Sequence, residues 1–282
     1  MPETELSAGP VEYEDTGGNG SIVVFLHGLA MDGSLWRHVV ADLQSDYRCV
    51  IPTLPLGGHR RPMHPDADLS ARAIARLVGE LLERLELRDV TLVGNDWGGA
   101  LLLFSEGPTE RIGRAVLCSM EAFDNVPPGL PGRAAWLAAK LPGGLNAMVQ
   151  PLRLRPLRRL PMAFGRMTKR PVPDEIMDVW LHPLLTQREI RRDLRKYLRT
   201  TELDGWLRAA DRLPAFDRPA LVVWSSEDRV MPPEHGHRLA ELLPRARLVE
   251  IPDSYTLIPE DQPAVLTRHI REFLSHAFLE AE

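Results

Sequence analysis

The sequence predicts an α/β fold with a mostly parallel central sheet, flanked by helices and interrupted by an inserted helical segment. Apolar, strand-like runs alternate with amphipathic helical spacing over the first 120 residues, as in a parallel sheet with crossover helices. Prolines then interrupt helix-like stretches up to about residue 212, after which the alternation resumes. We therefore expect residues 1–120 and 213–282 to form one core and residues 121–212 to form a helical cap.

Individual elements follow from local patterns. Helical spacing of leucines predicts an amphipathic helix over 70–87, and two further helices are expected over 234–243 and 263–279. The first 19 residues, rich in Glu and Gly, are predicted to be a loosely ordered lead-in. Apolar runs predict strands at 21–26, 48–52, 90–93, 114–119, 220–224 and 247–251.

Length, charge and cysteine content limit the function classes. A chain of 282 residues with 44% hydrophobic residues can bury the core of such a domain, and its net charge of -5 gives no global electrostatic reason to bind nucleic acid. No apolar run has membrane-spanning length, no basic secretory signal opens the chain, and Cys49 and Cys118 lack zinc-type spacing. We expect a cytoplasmic protein that acts on a small molecule without metal, cofactor, nucleic acid or membrane; the number of subunits stays open.

The strongest local motif is Gly94-Asn95-Asp96-Trp97-Gly98-Gly99, in which a buried strand runs through a tight turn into a helix. Glycine on both sides of Asp96 gives room for a strained turn that points this side chain into a site. The N–H groups at the start of the next helix favour an ionised carboxylate, and a carboxylate there can attack carbon and form an ester. The alternative is that Asp96 only caps the helix.

A second motif, His27-Gly28-Leu29, ends the first apolar strand. Together with the turn at Asp96, it resembles the α/β-hydrolase superfamily, and the resemblance covers the chain from about residue 12. It implies an α/β-hydrolase fold, with the backbone N–H groups of Leu29 and Trp97 as donors to an oxyanion. His27 is interpreted as holding the loop by hydrogen bonds rather than transferring protons.

Within that superfamily, the Asp-Trp pair at 96 and 97 most resembles haloalkane dehalogenases and epoxide hydrolases. The resemblance implies that Trp97 donates its indole N–H to a leaving halide, although simple packing is the alternative. Leu29 and Ala30 depart from the polar residue and the proline usual after His-Gly. Epoxide hydrolases protonate the opening ring with cap tyrosines, and only Tyr197 is available in this cap. The candidate pocket residues are Trp36, Tyr197 and Leu257.

Two carboxylates are candidates for the acid of a catalytic triad. Asp228 lies in a loop that resembles the usual position of that acid, after a late strand. Glu121 follows the strand at 114–119, which resembles the position used by one dehalogenase subgroup. For each residue the alternative is a loop carboxylate that accepts backbone hydrogen bonds.

The catalytic histidine of the superfamily is missing. The segment 249–263 resembles the family's histidine loop, and Thr256 occupies the histidine position. A hydroxyl of this kind cannot activate water near neutral pH, so an ester on Asp96 persists, or Asp96 works as acid or base, or the fold only binds a ligand. Other histidines are weaker candidates for a substitute base: His59, His64, His235, His237, His269 and His276.

Overall fold

Eight strands build one sheet in the computed structural model, which describes residues 1–106, 109–200 and 203–275. The strands are β1 (Glu3–Leu6), β2 (Gly9–Asp15), β3 (Ile22–Leu26), β4 (Arg48–Pro52), β5 (Val90–Asp96), β6 (Ile112–Met120), β7 (Ala220–Ser225) and β8 (Ala246–Ile251). Their order across the sheet is β1-β2-β4-β3-β5-β6-β7-β8. Strands β3 to β8 pair in parallel, and β1 and β2 are antiparallel, so the predicted mostly parallel sheet is confirmed.

Helices cover the sheet and fill the long connection between β6 and β7. They are α1 (Arg37–Leu43), α2 (Ala71–Arg84), α3 (Gly99–Glu106), α4 (Gly129–Lys140), α5 (Gly144–Val149), α6 (Asp174–Thr186), α7 (Arg188–Arg199), α8 (Leu203–Arg212), α9 (Pro233–Leu242), α10 (Ile258–Asp261) and α11 (Pro263–Leu274). None of these described helices has the length and apolarity needed to cross a membrane. The predicted helix at 263–279 extends beyond the described residues.

The N-terminal residues form a hairpin, so the prediction of a loosely ordered lead-in was wrong. Strand β2 pairs with β1 and with β4, which places the hairpin at one edge of the sheet. Leu6 and Val11 are buried in a small cluster against Leu77 and Leu81 of α2. The prediction relied on the Glu and Gly content of this segment. It missed the period-two pattern of buried residues, which is typical of a half-buried strand.

The segment 121–212 is helical throughout its regular elements, and no strand occurs in its described residues. It is tied to the core through Asp193 of α7, a fully buried carboxylate. The backbone N–H of Met63 donates to Oδ2 of Asp193 at 2.9 Å, and Nε2 of His59 lies 3.3 Å from the same oxygen. Helix α7 is therefore fixed against the loop that follows β4, while the domain boundaries at 121 and 213 remain a prediction.

The carboxyl ends of the parallel strands determine where chemistry can occur. Ligands of open α/β sheets bind outside this edge, because the loops that leave the strands meet there. Strands β3, β5 and β6 are adjacent in the sheet, and their ends carry Leu29, Asp96 and Glu121. The helices of the segment 121–212 lie next to the same edge and line a cavity with these residues.

Candidate active site

Asp96 occupies a strained turn between β5 and α3. Its φ of 65° is in the left-handed region, which is unusual for a residue other than glycine and is typical of functional turns. The backbone N–H of Trp97 donates to the carbonyl of Asn95 at 2.7 Å and closes the turn. A Cβ at Gly98 would overlap the carbonyl oxygen of Glu121, so only glycine fits this close approach. The turn thus presents the Asp96 side chain at the sheet edge.

The loop after β3 lies directly against the Asp96 carboxylate. The backbone N–H of Leu29 donates to Oδ2 of Asp96 at 3.0 Å, and a Cβ at Gly28 would overlap the same oxygen. Burial raises the pKa of Asp96 to about 7, against the lowering effect of the Leu29 N–H, and the negative charge of Asp228 raises it further. Near neutral pH the carboxyl therefore exists in both protonation states.

Glu121 directly follows β6, the strand next to β5 in the sheet. Its backbone N–H donates to the carbonyl of Asp96 at 3.1 Å, and its side chain is buried. Burial raises the pKa of Glu121 to about 8, and the negative charge of Asp96 also raises it, whereas the Gly98 N–H and the Tyr197 hydroxyl lower it. Within the described residues, no donor reaches Oε2 of Glu121 at regular hydrogen-bond geometry. The side chain is a buried carboxyl beside the buried carboxyl of Asp96.

Tyr197 and Trp97 complete the polar surroundings. Burial raises the pKa of Tyr197 well above its usual value, and its hydroxyl lies beside the Glu121 carboxyl and the Trp97 indole. The indole Nε1 of Trp97 is buried, and no acceptor among the described residues meets it at hydrogen-bond geometry. Two neutral donors thus sit close to the two carboxyls.

The cavity above Asp96 is otherwise apolar. It has a volume of about 420 Å³, and among its described lining residues Asp96 and Glu121 are the only ionisable ones. Helix α7 contributes Leu194 and Leu198, α6 contributes Leu181 and Leu184, and further lining comes from Ala135, Met148, Phe164 and Met167. This composition fits a small and largely apolar ligand.

None of the three predicted pocket residues, Trp36, Tyr197 and Leu257, is among the described lining residues, which corrects the expectation for them. Trp36 is fully buried in the core and packs on Phe25, with ring centroids 5.1 Å apart. Leu257 is also fully buried, and its N–H donates to the carbonyl of Met167 at 2.8 Å. Tyr197 approaches the site only with its hydroxyl. For an apolar residue near a motif, the sequence alone does not show whether the side chain lines the pocket or packs in the core.

Asp228 and Thr256 form a direct pair beside Asp96. The hydroxyl of Thr256 donates to Oδ1 of Asp228 at 2.7 Å, and the same oxygen accepts from the backbone N–H groups of Val230 at 2.9 Å and Met231 at 2.8 Å. Burial raises the pKa of Asp228 against these hydrogen bonds. Neither Asp228 nor Thr256 belongs to the cavity lining. The structure thus brings together the two residues that the sequence predicts for the acid position and the histidine position.

The described histidines neither line the cavity nor hydrogen-bond to Asp96. His27 accepts from the Leu54 N–H on Nε2 at 2.8 Å, so its Nδ1 carries the proton and donates to the Gly28 carbonyl at 2.8 Å. Burial lowers the pKa of His27 to about 4, so the ring is neutral. The other candidates pair elsewhere: His59 with Asp193, His64 with Glu5, His235 with Asp124, His237 with Glu250 and His269 with Glu272.

His276 lies outside the described residues. In the part of the chain that the structure describes, no group of three or more His, Cys, Asp or Glu residues is placed to hold a metal ion.

Comparisons with known proteins agree with this architecture. Residues 23–268 match the profile of the alpha/beta hydrolase family. The chain is 29% identical to cis-3-alkyl-4-alkyloxetan-2-one decarboxylase of Xanthomonas campestris, covering 94% of this chain and 92% of that protein. It is 23% identical to a haloalkane dehalogenase of Mesorhizobium japonicum, covering 95% and 89%. The solved structure of haloalkane dehalogenase DbeA from Bradyrhizobium elkani has a TM-score of 0.80 at 19% identity, covering 99% and 98%, and so shares the fold.

Proposed function

Because the chain belongs to the alpha/beta hydrolase family, we propose that it is an enzyme in which Asp96 attacks an electrophilic carbon of a small, largely apolar molecule. One observation carries the proposal: the Asp96 carboxyl, held by the Leu29 N–H, lies in the lining of an apolar cavity of about 420 Å³. The substrate types are those of the dehalogenase and epoxide hydrolase reactions, a haloalkane or an epoxide.

The first step needs only the groups around Asp96. Its carboxylate forms a C–O bond to the substrate carbon while the bond from that carbon to the leaving halide or oxygen breaks. The Trp97 indole N–H and the Tyr197 hydroxyl are close to each other beside the two carboxyls, and they are the donors that we assign to the leaving group. An apolar cavity keeps competing water away from the carboxylate, which favours its attack on carbon and strengthens the hydrogen bonds to the leaving group.

In a hydrolytic cycle, water attacks the carbonyl carbon of the Asp96 ester and releases an alcohol. Several named relatives are hydrolases, including a 2-hydroxy-6-oxononadienedioate hydrolase of Burkholderia vietnamiensis. Water needs a base for this step, and Thr256 cannot serve because a neutral hydroxyl is too weak a base near neutral pH; here it donates to Asp228. The hydrolytic proposal therefore requires a base other than residue 256.

A second candidate function is a fragmentation that consumes no water, and the Thr256–Asp228 pair favours it. One relative is named for the decarboxylation of an oxetan-2-one. If Asp96 attacked the ring carbon that bears the ring oxygen, that C–O bond would break and leave an ester and a free carboxylate. Loss of CO2 would then form the alkene and expel the Asp96 carboxylate. Atoms and electrons balance without a base.

The test is to incubate the protein separately with a 1-bromoalkane, a terminal epoxide and a cis-dialkyl oxetan-2-one. Intact mass spectrometry measures an adduct on the protein, and chromatography measures bromide, diol or alkene. We expect Asp96→Asn to abolish every product, and Asp211→Asn, which changes an exposed aspartate, to leave them unchanged. Full turnover by Asp96→Asn would overturn the proposal. Alkene as the sole product would select the fragmentation.

A further inference from the structure

Glu121 is a carboxyl in the cavity whose neighbours, the Gly98 N–H and the Tyr197 hydroxyl, leave one of its two oxygens without a donor among the described residues. It lines the cavity together with Asp96, and no described residue donates to its Oε2 at regular geometry. A carboxylate that serves only to orient a histidine would be expected to bond to one. No described histidine hydrogen-bonds to Glu121; His27, His59 and His235, for example, pair with other groups.

We propose that Glu121 transfers the protons of the reaction: as an acid it protonates the leaving oxygen when Asp96 attacks, and as a base it activates the water that hydrolyses the ester. This role rests on the proposed hydrolytic function and deepens it. It favours a substrate whose leaving atom is an oxygen that needs a proton, as in an epoxide, over a halide, which leaves without one.

The backbone places the two carboxyls for such a relay. Asp96 ends β5 and pairs in register with Met120 of β6, and the Glu121 N–H then bonds to the Asp96 carbonyl at 3.1 Å. Neighbouring strands are about 4.8 Å apart, so both side chains can reach one small substrate. Glycine at position 98 allows the two backbones to approach closely, because any Cβ there would overlap the Glu121 carbonyl oxygen.

Rival proton carriers are few in the described part of the site. Asp96 and Glu121 are the ionisable residues of the described lining, and Asp96 is consumed as the ester in the second step. Thr256 is held by Asp228 outside the lining, and the neutral ring of His27 is engaged at both nitrogens. The raised pKa of Tyr197 keeps its hydroxyl protonated, so Tyr197 can donate a hydrogen bond but is not available as a base.

The charge of Asp96 affects the protonation state of Glu121 before and after the ester forms. While Asp96 is ionised, its charge adds to burial in holding the pKa of Glu121 at about 8, so Glu121 is an acid near neutral pH. Esterification removes that charge, which lowers the pKa of Glu121 and stabilises its carboxylate as a base. The other titratable group facing Glu121 is Tyr197 of α7, and Asp228 acts on Asp96 from the loop after β7.

With an epoxide as substrate, Asp96 and Glu121 return to their starting protonation states after each turnover. Asp96 attacks a ring carbon, that C–O bond breaks, and Glu121 gives its proton to the departing oxygen. Glu121, now ionised, takes a proton from water, whose oxygen bonds to the ester carbonyl carbon. Collapse of this intermediate breaks the bond between the Asp96 acyl carbon and the diol oxygen. The acid proton of Asp96 passes to that oxygen, which leaves the diol, an ionised Asp96 and a protonated Glu121.

The experiment follows ester formation and decay by rapid quench and intact mass, using a terminal epoxide and the full chain. We expect Glu121→Gln to form the Asp96 adduct more slowly, because it lacks the acid for the leaving oxygen, and to release the adduct more than about 100-fold more slowly than the wild type. Glu121→Asp, which keeps a shorter carboxyl, should partly restore release. Tyr197→Phe should slow adduct formation without slowing adduct decay. In water labelled with oxygen-18, single turnover should label the Asp96 carboxyl.

Two results would overturn the role of Glu121 while leaving Asp96 as nucleophile. One is release by Glu121→Gln at the wild-type rate, with Glu121→Asp equally unaffected. The other is a wild-type adduct that never decays. If instead the wild type forms neither adduct nor diol, and Asp96→Asn behaves identically, the proposed hydrolytic function itself is wrong. A melting curve for each variant establishes that it is folded before its rates are compared.

Discussion

The hydroxyl of Thr256 donates a hydrogen bond of 2.7 Å to Oδ1 of Asp228. With two backbone donors on the same oxygen, this carboxylate keeps the local network of a triad acid in the absence of an imidazole. Its second oxygen is buried and lacks a donor at hydrogen-bond geometry among the described residues. Residue 256 therefore supports the Asp228 carboxylate by a hydrogen bond and offers no base for activating water.

Replacing Thr256 by valine should destabilise the fold without slowing ester formation on Asp96. Valine keeps the shape of threonine but removes the donor to a buried carboxylate, which costs about 1–3 kcal/mol of unfolding free energy. Urea denaturation measures the change, and Thr256→Ser, which keeps a hydroxyl, serves as the matched control. A valine variant as stable as the wild type would show that the hydrogen bond contributes nothing net.

Gly28→Ala should impair the chemistry while leaving a folded protein. The added Cβ would overlap Oδ2 of Asp96 and push the carboxylate away from the Leu29 N–H. A displacement of about 1 Å at a reacting group can slow a reaction by about 100-fold, so we expect at least that loss in the rate of ester formation. The matched control is Gly205→Ala in α8, where nothing lies within 4 Å of the new Cβ. An unchanged rate for Gly28→Ala would count against Asp96 as the nucleophile.

The rate of ester formation should rise with pH through the pKa of Asp96, which is about 7. Only the ionised carboxylate attacks carbon, so the single-turnover rate should increase about tenfold between pH 6 and pH 8. A haloalkane probe is suited to the measurement because its leaving group needs no proton. A flat profile over this range would mean that Asp96 is already ionised at pH 6 or does not take part.

Much of this arrangement is foreseeable from local sequence, and the rest depends on contacts between distant residues. Apolar runs locate β4 from residue 48 to 52, and the glycines around Asp96 identify its turn because both signals are short-range. Glu121 and Asp228 are recognisable as candidate acids by their places after strands. That Tyr197 reaches Glu121 from α7 follows only from packing, since no local pattern encodes the docking of one helix on a strand end.

Stability should depend on pH through Glu121. Its raised pKa means that the folded protein keeps a proton that the unfolded chain loses above the ordinary value of 4.5. This contribution is complete below that value and is lost as the pH rises toward about 8, by up to about 1.4 kcal/mol per pH unit. Glu121→Gln removes the effect, so its melting temperature should gain on the wild type as the pH rises from 5 to 8.

The control for this comparison is Glu83→Gln, which changes an exposed residue of α2. Its difference from the wild type should stay constant with pH. If the Glu121→Gln curve ran parallel to that of the wild type, Glu121 would be ionised in the folded protein throughout.

The two walls of the cavity differ in how firmly they are held. Helix α7 is bound to the core through the fully buried Asp193, whereas Leu160 and Met162 on the other wall are 41% and 52% exposed while still lining the cavity. A ligand can thus pass between solvent and Asp96 when the partly exposed side chains of Leu160 and Met162 rotate, without movement of a helix. Such rotations take picoseconds to nanoseconds, so we expect the side-chain motions that admit a ligand to be far faster than the chemical steps.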